Sequence, residues 1–133
     1  MKKEKRFLEI NLAIYRLYVV VSWETTKQEI LKYVKKASPS LKITEEEWGK
    51  LFSESADNNR TAGITIELGD DNCDILVWLR KRPKTAKDYG VLYHELHHAT
   101  RAIMDSRNLG IEHESPAFIY EYLATKCNQF FWE

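Results

Sequence analysis

The chain has four histidines, and three of them fall within five residues, His94-Glu95-Leu96-His97-His98. If this segment is helical, His94 and His98 stand one turn apart on the same face. Both imidazoles can then reach one zinc ion, whose bonds to histidine nitrogen are about 2.0–2.1 Å long. Glu95 lies about 100° round such a helix. It is poorly placed to join them as a ligand but can take a proton from a water on the metal. Zinc lowers the pKa of that water from about 15.7 to about 7. The pattern thus predicts metal-assisted hydrolysis of a peptide-like carbonyl, with His94 and His98 as ligands. Glu95 would be the general base, later handing its proton to the leaving amine. His97 is an alternative partner for His94, although a polar role beside the site is the simpler reading.

A motif with three fixed positions also arises by chance, as histidines on a solvated helix. The surrounding helix argues against chance. Tyr89, Leu92, Leu96, Ala99 and Ile103 make one apolar stripe, and His94 and His98 lie off it, so packing and metal binding use different faces. A catalytic zinc takes three protein ligands and keeps one position open. The third must come from beyond His98, and Glu112, His113, Glu114 and Glu121 are the candidates. Glu114 is preferred, because a turn after Asn108-Leu109-Gly110 would fold the chain back against the motif helix. Glu121 is the main rival and could instead orient a ligand histidine. Taken alone, each glutamate also reads as an ordinary solvated helix charge.

The elements that must position these residues read as α+β. Phe7 to Trp23 is β-branched and aromatic with a period of two, and predicts one long strand with a bend. Thr25 is a candidate cap for a helix through Ile30, Leu31 and Val34 that ends near Ser38. A capping box from Thr44 to Glu47 opens a second helix. Ile64, Ile66 and Leu68 mark a strand, Gly69 to Asn72 a turn, and Asp74 to Arg80 a returning strand. Pro83 and Thr85 open the motif helix, which runs to about Arg107. A last helix with Ser115 as N-cap and Pro116 in its first turn runs towards Phe130. The expectation is one domain spanning residues 1–133, with about four helices, a three-stranded mixed or antiparallel sheet, and the histidine motif on the third helix.

At 133 residues there is material for one core and one site. Twenty Lys plus Arg balance twenty Asp plus Glu, so no global field favours nucleic acid or an anionic membrane. The basic cluster Arg80, Lys81, Arg82, Lys84 and Lys87 could meet phosphate, but reads more simply as a solvated loop and helix start. Cys73 and Cys127 form no CxxC pair and read as reduced thiols. The stretch after the basic start is interrupted by Glu9, Asn11 and Arg16, short of a signal or membrane-span pattern, so a cytoplasmic protein is expected. Phe130-Phe131-Trp132 is apolar for a terminus, packing on the core or sealing a dimer. Tyr93, Tyr120 and Tyr122 could donate to an oxyanion, and otherwise read as packed aromatics.

Residues His94 to Leu123, about a quarter of the chain, resemble the small gluzincin metallopeptidases, where HExxH is followed by a glutamate ligand on the next helix. Glu114-Ser115-Pro116-Ala117-Phe118, followed by Tyr120 and Tyr122-Leu123, looks more like the minimal peptidase-like proteins of bacteriophages and mobile elements. It is also similar to the intracellular metallopeptidases that cleave phage-type repressors, where Glu-x-x-Ala supplies the third ligand. The resemblance implies a zincin-like fold and zinc on His94, His98 and Glu114, with Glu95 as base and a peptide or protein as substrate. It also implies that the hairpin ending at Asp74 to Arg80 lends an edge strand to the cleft, where an extended peptide would add. This chain departs from the pattern at Pro116, whose ring disfavours helical geometry at Ser115 and so bears on where Glu114 sits.

Overall fold

Alternating side chains sort the strand residues onto two faces, and each face carries its own pair of helices. The computed structural model describes residues 6–39, 43–53, 61–70, 73–106 and 115–132. Strands β1 (Phe7–Leu12), β2 (Leu17–Trp23), β3 (Gly63–Asp70) and β4 (Cys73–Leu79) form a single sheet in the order β1-β2-β4-β3. β1 pairs antiparallel with β2, β2 parallel with β4, and β4 antiparallel with β3. Helices α1 (Lys27–Ala37) and α2 (Glu45–Ser53) lie on one side, and α3 (Ala86–Ser106) and α4 (Ser115–Phe131) on the other. Val19, Val21, Ile75 and Val77 point to the second side, meeting Leu92, Leu96, Ala99, Ile103, Ile119 and Leu123. Val20, Ile66, Leu76 and Trp78 point the other way onto Ile30, Leu31, Val34 and Trp48. Each such large apolar side chain stabilises the fold by about 1.5–3 kcal/mol as it leaves water.

The fold is α+β with four helices and a mixed sheet as expected, but the sheet has four strands, not three. The difference lies between Phe7 and Trp23. This stretch is a hairpin, in which Ala13–Tyr15 make a 3-10 turn and Arg16 takes a left-handed φ of 55°. Leu12 consequently faces Leu17, and Ile10 faces Val19. Glycine or asparagine usually announces such a backbone, and neither stands at residues 13–16, so the turn is hidden from pattern reading. Burial of Ile10, Leu12, Leu17 and Val19 on both arms stabilises the reversal against its local cost.

Caps set the helix starts. Thr26, not Thr25, caps α1: its hydroxyl accepts from Glu29 N at 3.1 Å, and Glu29 Oε1 accepts from Thr26 N at 3.3 Å. Thr25 is buried, with its hydroxyl 2.6 Å from that of Ser22. Thr44 Oγ1 accepts from Glu47 N at 3.1 Å at the start of α2, as expected. α4 begins at Ser115 itself, one residue before an N-cap there would allow.

α3 opens at Thr85, whose hydroxyl accepts from Asp88 N at 3.2 Å. Asp88 Oδ2 in return accepts from Thr85 N at 3.1 Å and Lys84 N at 3.0 Å, and Lys81 Nζ lies 3.2 Å from its other oxygen. The Thr85 backbone bond, followed by those to Lys84 and Lys81, outweighs burial and holds this carboxyl down to about 2, against its ordinary 3.8. A depressed carboxyl stabilises the fold above its ordinary pKa, and that stabilisation is lost as pH falls through the folded value. Asp88→Asn is expected to lower stability by about 1–2 kcal/mol at neutral pH, discounted because Lys81 is solvent-exposed. In urea unfolding, the gap to wild type should close as pH falls from 3.8 towards about 2.

Candidate functional site

On β3, Ile64, Ile66 and Leu68 belong to the α1/α2 core, which leaves Gly63, Thr65 and Glu67 on the face towards α3. This face and α3 enclose an open groove of about 430 Å³, lined by Gly63, Ile64, Thr65 and Glu67 from the strand and Glu95, His98 and Ala102 from the helix. β3 stands at the end of the strand order, so the groove runs beside a sheet edge. The edge is the first arm of the expected hairpin. The Asp74 to Arg80 arm is interior, because β4 pairs with both β2 and β3.

Gly63 sets how closely helix and strand approach. A Cβ there would come 3.1 Å from Glu95 Cγ, 3.1 Å from Trp78 O and 3.2 Å from Val91 Cγ1. Glu95 is buried at 6% exposure, while His94, His97 and His98 are exposed. Thr65 Oγ1 lies 2.8 Å from Glu95 Oε1 and 3.1 Å from Glu95 O, so its one proton serves the carboxylate and the helix backbone between them. No Lys or Arg pairs with Glu95 among the described residues.

His94 Nε2 and His98 Nε2 converge to 3.1 Å, with the rings nearly perpendicular at 87°. Two nitrogens bonded to one tetrahedral zinc at about 2.0–2.1 Å would stand about 3.3 Å apart, so the pair fits such an ion. His97 is turned aside, its ring centroid 6.4 Å from that of His98. The preferred third ligand, Glu114, lies outside the described residues, as do Glu112 and His113. Glu121 is exposed on α4, and among the described residues no three His, Cys, Asp or Glu side chains converge as a metal group.

The other sequence candidates are engaged elsewhere. Tyr93 donates to Asn128 Oδ1 at 2.6 Å, tying α3 to α4, and Tyr122 donates to Asn11 O at 3.2 Å. Burial and then the neighbouring Tyr93 push the Tyr120 phenol above its ordinary value. In the basic cluster, Arg80 donates to Thr61 O and Lys81 pairs with Asp88. Arg82 lies over Trp23, Phe130 and Phe131, so the apolar tail packs onto the core through Phe131 while Trp132 is exposed. Cys127 is a buried free thiol pushed up to about 12 by burial, which makes it an inert packing residue. No helix among the described residues is long and apolar enough to cross a membrane.

Sequence reasoning singled out the histidines and Glu95 and did not single out Gly63 and Thr65, which the structure sets beside Glu95. Their signal is faint: a small and a hydroxyl residue on the strand face opposite three aliphatic ones. The chain matches no protein-family model, no curated protein and no solved structure. Gly63→Ala is expected to cost about 1–3 kcal/mol by overpacking, since Trp78 O is backbone and cannot turn away. A urea midpoint equal to wild type would show that the helix is not held this close.

Proposed function

We propose that this chain is a zinc-dependent metallopeptidase or amidase of the zincin-like class, with His94, His98 and Glu114 as ligands and Glu95 as general base. The observation that carries the reading is Glu95, a mostly buried residue with no Lys or Arg pair among the described residues, on a groove wall beside two imidazole nitrogens 3.1 Å apart. When bound, zinc would supply a Lewis acid and a water acidified to a pKa of about 7. Thr65 occupies Oε1 of Glu95, so Oε2 is the atom that takes the proton and later returns it to the leaving amine. The side of β3 away from β4, unpaired among the described residues, supplies backbone groups for an extended peptide or protein substrate, laid antiparallel or parallel along the edge. The resemblance to proteins of phages and mobile elements points to an intracellular target.

A second reading is a catalytically silent zincin-like module that binds or regulates a partner. It draws on the openness of the groove, whose described walls come from one strand and one helix.

Metal content of untagged protein tests the first step. Wild type is expected to carry about one zinc per chain and His94→Ala none. If wild type binds no zinc and added zinc does not raise its melting temperature, the hydrolase reading fails. Glu95→Gln separates the two readings: an enzyme keeps its zinc but loses turnover of a quenched-fluorescent peptide library by about 100-fold or more, whereas a module keeps its binding function.

A further inference from the structure

We propose that Thr65 is the positioning residue for Glu95, aiming its carboxylate into the groove from the edge strand, an inference that rests on the hydrolase reading above. A glutamate side chain on an exposed helix turn has three rotatable bonds and many positions from which no proton can be reached. One hydrogen bond restricts that freedom here, and a second contact ties the helix backbone to the same hydroxyl. Thr65 Oγ1 donates to Glu95 Oε1 at 2.8 Å, and the same hydroxyl lies 3.1 Å from Glu95 O, so carboxylate and helix turn are referred to one point on β3. Threonine is stiff about χ1, and its backbone is fixed by pairing with Val77 on the interior strand, so the hydroxyl's direction is set by the sheet. Gly63, two residues earlier on the same face, leaves room for the Glu95 methylenes.

The division of labour follows from proton count. Thr65 keeps its proton and stays a donor throughout, and Glu95 alone gains one at Oε2 and gives it up again. The hydroxyl donor orders one of the carboxylate oxygens, leaving the other as the base. Thr65 therefore acts through Glu95 and need not touch substrate or metal.

The test uses zinc-loaded full chain as wild type, Thr65→Val and Thr65→Ser, with crystal structures of all three and turnover of the peptide library. Valine keeps the shape and removes the donor, while serine restores the donor on a smaller side chain. In the valine variant the Glu95 carboxylate is expected to leave its place against β3 with zinc content unchanged. Its kcat should fall about 10- to 100-fold at unchanged KM, and serine should recover most of the loss. An unmoved carboxylate in the valine variant overturns the inference, as does a loss confined to KM, to zinc content or to folding. If wild type turns over no peptide, the hydrolase reading fails by itself, and the crystal structures still decide whether Thr65 holds the carboxylate.

Discussion

Glu95 is packed between α3 and β3, with a threonine hydroxyl as the partner of one carboxylate oxygen. That burial needs a close approach of helix and strand, and the approach needs a residue without a side chain at Gly63. It also needs α3 to keep its rotation about its own axis. Leu92, Leu96, Ala99 and Ile103 fix that rotation by burying one stripe, which turns His94 and His98 outward and Glu95 towards the sheet edge. Core packing and site chemistry are thus one arrangement read on different faces of the same helix.

Much of this was legible in the sequence, for physical reasons that can be named. The motif helix carries its own punctuation in Thr85 and Asp88 and a clean apolar stripe, and the β3–β4 hairpin shows an alternating strand, a polar turn and a continuous apolar strand. What was hidden depends on contacts far apart in the chain. The reversal at Arg16 has no glycine to mark it and is stabilised by burial on both arms. Thr65 meets Glu95 across thirty residues of sequence, so no local window joins them. Thr25 and Thr26 are equally good caps by type, and the buried contact of Thr25 with Ser22 decides between them.

The basic cluster shows how tertiary context reassigns residues that look free in a sequence. Arg82 is spent over three aromatic rings, and its backbone N donates to Glu24 Oε2 at 2.8 Å. Lys81 supports the first turn of α3, and Arg80 stacks on Trp78 while bonding Thr61 O. Three of the five cluster charges thus brace the approach to the motif helix and fasten the C-terminal aromatics, while Lys84 and Lys87 are exposed. The β3 groove carries charges of the other sign, with Glu67 and Glu95 in its walls.

The edge of β3 carries a hazard of its own. A strand with unpaired backbone groups will accept any chain that offers a matching row, including the same strand of a second molecule, and growth by that route ends in aggregates. Here the regular ladder is short: the register shifts between Glu67 and Asp70, and an exposed glutamate stands at the shift. Two such edges brought together would set their glutamates close and meet an irregularity after a few residues. A lone flexible peptide could bend to follow the bulge where a rigid sheet could not, so an irregular edge of this kind resists pairing with stiff strands more than with flexible ones.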